Sequence, residues 1–277
     1  MHKFTHKSLF SCAYCKSKNI SERNLTSLGY QSYRCKSCKR VFNARTNTVF
    51  NHLEYPTDIV MMAVRWYLSY KLSYREVAQM LSDSGLQICH ETIRLWIESF
   101  APLITVNLRQ KRKYKNEESH YVDETYVKIK GKWVYVYRAV DRKGMLVNTM
   151  VSETRDMKAA KRFFRQVKKV AITPKRVTTD KHQSYPRAID ETLGKKVFHR
   201  VNAYLHNYTE QSHRPLKQRY YPMLGFGSIK GAKIFCTAFD ELRSFFRIRS
   251  SKKFSAEQKR RIRASKIFSF NKMVVEL

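Results

Sequence analysis

Residues 120–141, HYVDETYVKIKGKWVYVYRAVD, constrain the fold most, because they alternate between two faces with the period of a β-strand. One face of the first half holds Tyr121, Asp123, Thr125, Val127 and Ile129. Gly131 supplies a tight turn before a second β-rich run, so the segment predicts a β-hairpin. Asp123 needs a partner or a metal ion, since an isolated buried carboxylate is costly. Glu124 points to the opposite face, and we exclude it from this group.

The charge of the chain predicts a polyanionic partner. Fifty-five Lys and Arg residues against 22 Asp and Glu leave a net charge of +33, distributed along the whole sequence. Nucleic acid is the leading partner for such a chain, with an anionic membrane as the alternative. The sequence contains no 18-residue apolar stretch or lipidation signal, and its first residues make no case for secretion. We therefore expect a cytoplasmic, nucleoid-associated protein without a membrane partner.

Four of the six cysteines form two CxxC pairs, Cys12 with Cys15 and Cys35 with Cys38, separated by nineteen residues. This spacing predicts one structural Zn²⁺ ion with four sulfur ligands, and a redox pair is the alternative. Four sulfurs leave no open position for a substrate, so the zinc should fold the module rather than catalyse. The surrounding basic residues suit DNA contact or a protein contact. Cys89 and Cys236 are expected to be core residues.

Residues 56–103 predict three short helices, with a glycine-bearing turn between the last two. Ser73 and Glu76 have the spacing of a capping box at the start of the second helix. Thr92 and Arg94 lie off the apolar face of the third helix, and we place them in the DNA major groove. The pattern favours a helix-turn-helix in so basic a chain, whereas a plain three-helix bundle is the alternative. Residues 104–118 are expected to form a basic linker along the phosphate backbone.

The segment after the hairpin predicts an α/β layer fold resembling ribonuclease H. Its expected order is a third strand over 145–152, a helix capped by Asp156, a strand over 176–179, a helix over 185–193 and a strand over 196–201. Asp180 follows the strand at the edge where α/β sheets place ligands. Asp180 is therefore a candidate partner for Asp123.

The run 204–219, YLHNYTEQSHRPLKQR, supplies a third acid, Glu210. A helix would put three basic residues on the face of Glu210, namely His213, Arg214 and Lys217. Pro215 suggests that this helix begins late or is kinked. Three acids from separate elements can bind two Mg²⁺ or Mn²⁺ ions, which activate water or a 3′-hydroxyl and stabilise the leaving oxygen of a phosphodiester. Arg214 and Lys217 would then contact DNA phosphates.

The runs VDETYVKIKGKWVYVYRAVD, TRDMKAAKRFF, TTDKHQSYPRAI, TEQSHRPLKQR and MLGFGS resemble bacterial DDE transposases of the insertion-sequence six family. The resemblance extends over about residues 56–249. It implies that Asp123, Asp180 and Glu210 are the catalytic metal ligands and that Lys217 is the basic residue two turns after the glutamate. The CxxC pairs resemble zinc-ribbon modules of transposases. Twenty-nine residues separate Asp180 from Glu210, somewhat fewer than is usual in the family.

Together these observations predict a multidomain α+β protein. It would comprise a zinc-ribbon-like module (1–50), a helix-turn-helix (56–103), the linker, a ribonuclease H-like catalytic core (119–220) and a helical basic C-terminal region (221–277). The expected function is that of a DNA transposase acting on terminal inverted repeats and target DNA. A non-catalytic DNA-binding regulator and a nuclease without joining activity are the alternatives. Joining two ends, like the family resemblance, implies at least a homodimer.

Overall fold

The structure is a computed structural model that describes residues 11–112, 117–202, 206–221, 223, 225–248 and 254–275, without the side chains of 206–212 and 275. Two compact units divide the chain. The smaller unit comprises the chain up to Arg65 together with the residues from Ile267 onwards. The larger unit comprises Trp66 to Lys266. The two division points lie inside helices, so the unit boundaries do not follow the predicted domain limits.

The smaller unit is built on a three-stranded antiparallel sheet, in the order β1 (Ile20–Leu25), β2 (Gln31–Cys35) and β3 (Val41–Asn43). Gly29 adopts a φ of 79° in the turn between the first two strands, a conformation that favours glycine. Tyr33 and Phe42 stack beside Cys12 and Cys35 to form a small core. Strands β1 and β2 form a hairpin between the two CxxC pairs, and β3 adds a third strand after the second pair.

A buried arginine organises the segment that follows this sheet. The Arg45 guanidinium donates to the carbonyls of Phe50 and Leu53, each at 2.7 Å, and to that of Tyr55 at 3.4 Å. The Tyr30 hydroxyl accepts from the backbone N–H of Thr57, the first residue of α1 (Thr57–Ser69). Arg45 thus supplies hydrogen-bond donors to backbone carbonyl groups that lie outside strands and helices.

Two further helices follow α1, namely α2 (Tyr74–Ser82) and α3 (His90–Arg112). The predicted capping box is present at the start of α2, where Ser73 and Glu76 bond reciprocally. The prediction of a linker is wrong for residues 104–112, because α3 continues through them. Ile104 and Leu108 are buried and extend the apolar stripe of the first turns, so packing outweighs the interior Pro102.

The larger unit contains a five-stranded mixed sheet in the order β6-β5-β4-β7-β8. The strands are β4 (Ser119–Ile129), β5 (Lys132–Asp141), β6 (Leu146–Ser152), β7 (Arg176–Thr179) and β8 (Phe198–Val201). The first three are antiparallel, whereas β7 and β8 run parallel to β4. Lys130 and Gly131, both with positive φ, form the two-residue turn of the predicted hairpin.

Helices α4 (Met157–Val170) and α5 (Tyr185–Leu193) pack together on one face of this sheet. Asp156 caps α4 as predicted. Val122 and Tyr137 of the sheet share a buried cluster with Phe163, Phe164 and Tyr185 of the helices. This core removes a large apolar surface from water, which favours folding of the larger unit.

Helices α6 (His206–Tyr220) and α7 (Ile229–Phe246) contact the sheet through β4 and β6. Asp240 of α7 lies 3.0 Å from the Arg138 guanidinium and accepts a 2.5 Å hydrogen bond from Thr149. All three side chains are buried. The face opposite α4 and α5 is therefore held by charged and polar contacts as well as by apolar packing.

Glu241, the next residue of α7, forms ion pairs that connect α3 to the edge of the sheet. Arg109 and Arg112 of α3 both donate to its buried carboxylate, at distances between 2.7 and 3.0 Å. The same arginines donate to the carbonyls of Thr149 and Val147 on the edge strand β6. These contacts cover carbonyl groups on the outer edge of β6 and join α3 to the sheet. Residues 104–112 are thus integral to the larger unit.

The last helix, α8 (Ala256–Val275), lies in the region expected to be helical and basic. Of the two remaining cysteines, Cys236 is buried as expected, but Cys89 is exposed, so the prediction of a core position for Cys89 is wrong. Among the described helices, none combines the length and apolarity that crossing a membrane would need.

Candidate active site

Asp123 and Asp180 meet because of the register between two parallel strands. Tyr121 of β4 lies opposite Thr178 of β7, so continuing the pairing by two residues brings Asp180 level with Asp123. Strand β7 ends at Thr179, however, so β4 continues past it with an open edge. Asp180 begins a turn beside this open edge, and its carboxylate accepts a 3.0 Å hydrogen bond from the backbone N–H of His182. The predicted convergence of these two acids is present.

Glu124 also belongs to the cluster, so its exclusion on the basis of strand alternation is wrong. Carboxylate oxygens of Asp123, Glu124 and Asp180 all lie within 4.8 Å of one another. Neighbouring side chains of β4 still point to opposite faces here, but on the β7 side no described strand lies beside β4 past Thr179. At the open edge beyond Thr179, we infer that the longer Glu124 side chain reaches round the strand to Asp180.

The environment of Glu124 differs from that of the two aspartates. Its side chain is 3% exposed, against 25% for Asp123 and 37% for Asp180. Burial raises the pKa of Glu124, and the nearby Asp180 carboxylate raises it further, against the opposing effects of Tyr185 and Arg155. Glu124 therefore retains a proton more easily than an exposed glutamate does.

Arg155 joins two of these acids and was assigned no role from the sequence. It lies between β6 and α4, immediately before the helix cap Asp156. Its Nε lies 3.2 Å from Glu124, and its Nη2 donates to Asp180 at 2.9 Å. Burial opposes the charge, but the two carboxylates raise the pKa of Arg155. The available signal was the position of Arg155 in the TRDMKAAKRFF run, which by itself indicates only a helix start.

Helix α6 brings the expected third element to the cluster. The Nε2 atom of His213 lies 3.5 Å from Asp123 Oδ2, and the histidine side chain is 6% exposed. Glu210 lies one helical turn before His213 on α6, and its side chain is outside the described residues. Helical spacing puts the two residues on the same face. The expectation of a late start is not met, since α6 begins at His206 and contains Pro215 in its interior.

The residues predicted to contact DNA differ in their surroundings. Arg214 is exposed and Lys217 is half-buried on α6. Thr92 is half-buried in α3, where Arg94 donates to Glu91 at 2.7 Å and to Glu98 at 2.6 Å. These two acids neutralise the Arg94 guanidinium in the structure. A contact from Arg94 to a base would require at least one of these ion pairs to open.

The four cysteines predicted to bind zinc lie together. Their sulfur atoms are all within 4.8 Å of one another, with Cys12 3.6 Å from Cys38 and Cys15 3.6 Å from Cys35. A tetrahedral zinc site with Zn–S bonds of about 2.3 Å has sulfur–sulfur edges of about 3.8 Å, close to these values. A hydrogen bond from the Cys38 backbone N–H lowers the pKa of Cys35 to about 6. The donor set fits a structural Zn²⁺ ion.

The acidic cluster fits a different class of metal ion. Its donors are carboxylate oxygens, which suit hard ions such as Mg²⁺ and Mn²⁺. The guanidinium of Arg155 already lies against two of the three carboxylates, so the cluster attracts positive charge. The site is also half open to solvent on the side of Asp123 and Asp180, which leaves access for a substrate.

Comparisons with known proteins identify the region that carries this cluster. A family model described as a DDE domain, DDE_Tnp_IS240, matches residues 117–249. The transposase for insertion sequence-like element IS431mec of Staphylococcus aureus is 35% identical over 179 residues, which cover 61% of this chain and 77% of that protein. The transposase for insertion sequence element IS257 in transposon Tn4003, also from Staphylococcus aureus, matches with the same identity and coverage.

A chain in the cryo-electron microscopy structure of the simian T-cell lymphotropic virus intasome in complex with PP2A regulatory subunit B56 gamma overlaps 53% of this chain and 54% of its own length. Its TM-score is 0.36 at 13% identity, which is too low to support an inference. The sequence relatives and the DDE domain carry the assignment. A DDE domain implies the use of divalent metal ions in catalysis. The chain belongs to the insertion-sequence six family of DDE transposases, and it is a DNA transposase, a polynucleotidyl transferase.

Proposed function

We propose that Asp123, Asp180 and Glu210 form the catalytic centre of this transposase and hold two Mg²⁺ or Mn²⁺ ions. The convergence of Asp123 with Asp180 at the open edge of β4 carries the proposal. The 3.5 Å approach of His213 to Asp123 supports the third residue, because it brings the Glu210 turn of α6 to the same point. When bound, such ions supply Lewis-acid activation of a water or a 3′-hydroxyl and stabilise the leaving oxygen.

The residues around the acids would prepare this centre for a DNA strand. Arg155 holds the Asp180 carboxylate in position through an ion pair, and a second ion pair with Glu124 holds Arg155. Arg155 is 34% exposed, so its guanidinium is also available to a phosphate once Asp180 takes up a metal ion. Arg214 and Lys217, on the helix of Glu210, would bind phosphates beside the scissile bond. In-line attack at the phosphodiester then requires no covalent protein–DNA intermediate.

Three finer features of the fold belong to the same proposal. The sheet order and its flanking helices support a ribonuclease H-like core. The four converging cysteines support a zinc-ribbon-like module with one structural Zn²⁺ ion. Helices α2 and α3 would provide the helix-turn-helix, with Thr92 and Arg94 near the DNA. Since α3 packs against α7 and the edge of the sheet, the helix-turn-helix would adjoin the core.

The partners follow from the reaction and from the charge. The protein would bind the terminal inverted repeats of its element and the target DNA, for which a net charge of +33 provides a strong non-specific attraction. Joining two ends requires at least a homodimer or a higher oligomer. We place this activity on the bacterial nucleoid in the cytoplasm.

Replacement of Asp123 by asparagine tests the catalytic assignment. In a strand-transfer assay with Mg²⁺ or Mn²⁺, Asp123→Asn should abolish cleavage and joining, because an amide is a weak metal ligand, while duplex binding stays within about twofold of wild type. Asp190→Asn makes the same chemical change at an exposed position of α5 and should leave activity intact. Full activity of Asp123→Asn would refute the assignment. Cleavage by the wild type without any joined product would instead indicate a nuclease.

A further inference from the structure

Two aromatic side chains stand exposed near the tip of the β4–β5 hairpin. Tyr126 is 58% exposed and Trp133 is 54% exposed. Their rings meet edge to face with 4.9 Å between centroids, and the Lys128 ammonium lies 5.6 Å from the Trp133 ring centroid. We call these three residues the hairpin platform. Large aromatic residues are normally buried, so a grouped exposed pair indicates a binding surface.

The hairpin platform lies on the same face of the sheet as the acid Glu124. Glu124, Tyr126 and Lys128 alternate along β4, and Lys128 pairs across the hairpin with Trp133. At a rise of about 3.4 Å per residue, Tyr126 lies about 7 Å and Lys128 about 14 Å along the strand from Glu124. A DNA strand that leaves the acidic cluster in this direction would meet the platform within a few nucleotides.

The platform is held rigidly by the end of the helix that carries Glu210. The Tyr220 hydroxyl, at the end of α6, accepts a 2.6 Å hydrogen bond from the backbone N–H of Lys128. The backbone N–H of Phe226 donates to the Lys128 carbonyl at 3.4 Å, and Phe226 also bridges to Ile129. A surface fixed before binding loses less conformational entropy when it takes up a ligand.

The charge around the platform selects the kind of partner. Residues 125–135 contain three lysines and no acid, and Lys128, Lys130 and Lys132 are all exposed. A cross-strand aromatic pair can serve hairpin stability alone, but then its rings would gain from being covered. More than half of the surface of each residue instead faces solvent. Exposed aromatic faces with neighbouring cations are the surface on which unpaired bases stack, whereas the bases of a duplex already stack on each other.

We propose that the hairpin platform stacks unpaired bases of the DNA strand next to the acidic cluster, so that the enzyme holds the cleaved or melted end of its substrate there. The proposal rests on the proposed catalytic site for the position of the scissile bond. Tyr126 and Trp133 provide the stacking faces, and Lys128 orients Trp133 and neutralises the adjoining phosphate. The ligand class is single-stranded DNA, read by stacking and therefore with little preference for sequence.

Affinity measurements on the full-length protein test this role. The probes are a fluorescein-labelled 20-nucleotide oligothymidine and a blunt 20-base-pair duplex, in buffer without added Mg²⁺ or Mn²⁺, and the readout is fluorescence anisotropy. Trp133→Ala and Tyr126→Ala should each weaken single-strand binding by about 5- to 100-fold and alter duplex binding by less than about twofold. Trp133→Phe, which keeps a stacking face, should retain most of the single-strand affinity.

Phe198→Ala is the matched control. Phe198 is 60% exposed and lies under the Arg176 guanidinium, so it too is an exposed aromatic residue with a cation on the same sheet. It pairs with Arg176 at the opposite end of β7 from Asp180, away from the acidic cluster. Its loss should leave the binding of both probes unchanged.

Tryptophan emission gives a second measurement that does not depend on an alanine variant. Of the three tryptophans, Trp96 is buried, Trp66 is half-buried and Trp133 is exposed. Oligothymidine should quench the emission of the wild type, and Trp133→Phe should remove most of that quenching. Unchanged single-strand affinity in Trp133→Ala and Tyr126→Ala, or equal losses for both probes, would overturn the proposal. So would a change in oligomeric state with unaltered DNA binding, which would assign the surface to a second copy of the chain.

The experiments distinguish a failure of the platform proposal from a failure of the catalytic assignment. Asp123→Asn should bind oligothymidine as the wild type does, because its substitution removes no stacking surface. Strand transfer by Asp123→Asn would refute the catalytic assignment and leave the anisotropy result standing. Loss of single-strand selectivity in the platform variants would be observed whether or not joining occurs.

Discussion

Replacing Asp240 by asparagine should destabilise the larger unit strongly. The Asp240 carboxylate is buried between Arg138 at 3.0 Å and Thr149 at 2.5 Å, and the Arg138 side chain is 4% exposed. Asparagine has nearly the same shape but no charge, so it leaves the Arg138 guanidinium buried without its counter-ion. Removing one partner of a buried ion pair costs about 3–5 kcal/mol.

This free energy translates into a measurable shift in the melting temperature. For a unit of this size, each kcal/mol lowers the melting temperature by about 2–4 °C, so Asp240→Asn should melt about 6–20 °C below wild type. Thermal unfolding followed by circular dichroism measures the difference. Glu257→Gln, which breaks an ion pair with Arg261 whose side chains are 71% and 80% exposed, should shift the midpoint by about 2 °C or less.

A second variant separates the charge from the packing. The double substitution Arg138→Met with Asp240→Leu removes both charges and should recover most of the lost stability, since apolar pairs can replace buried ion pairs without a large cost. A melting temperature for Asp240→Asn within about 2 °C of wild type would refute the reasoning. It would mean that water or a local rearrangement solvates Arg138 at little expense.

Three further predictions concern the metal sites and a buried histidine. Cys35→Ser should abolish zinc binding, measured by elemental analysis, because three sulfurs no longer complete the tetrahedron. Arg155→Ala should bind Mn²⁺ about tenfold more tightly in calorimetry, because it removes a competing cation from Glu124 and Asp180. Burial lowers the pKa of His120 from 6.5 to about 4. Between these two pH values the unfolded chain binds more protons than the folded chain, so the free energy of unfolding should decrease as the pH falls from about 6.5 to about 4.

Each of these has its own control. Cys89→Ser, at an exposed cysteine outside the cluster, should retain the zinc of the wild type. Arg187→Ala, which removes one of the two cations paired with the exposed Glu191 on α5, should leave Mn²⁺ affinity unchanged. His120→Gln should have a flatter dependence of melting temperature on pH between about 6.5 and about 4 than the wild type. Unaltered zinc content, Mn²⁺ affinity or pH slope in the respective test variant would contradict that prediction.

The parts of the fold that were predictable from the sequence are those set by local chemistry. Alternation in residues 120–141 and the Lys130–Gly131 turn specify the hairpin, and the cap Asp156 starts α4 where expected. The CxxC spacing specifies which cysteines converge. In each case the signal lies within a few residues, so no knowledge of the tertiary structure is needed.

The features that the sequence reasoning missed depend on what lies beside a segment in space. Glu124 was excluded because strand alternation is a local rule, whereas its place in the cluster depends on where β7 ends. The continuation of α3 through Pro102 depends on Glu241, 129 residues after Arg112, which holds the far end of the helix. Arg155 was overlooked because its two partners come from other elements of the fold.

If the start of α3 reads DNA as proposed, the uninterrupted helix has a geometrical consequence. Its 23 residues make a rod of about 35 Å, whose far end is clamped to β6 and Glu241 by two arginines. The length of α3 would then set the distance and angle between the bases that it contacts and the bond that is cut. Inserting one residue after Phe100 would turn the reading end by about 100° relative to the sheet, whereas inserting four would nearly restore its orientation and lengthen the rod by about 6 Å.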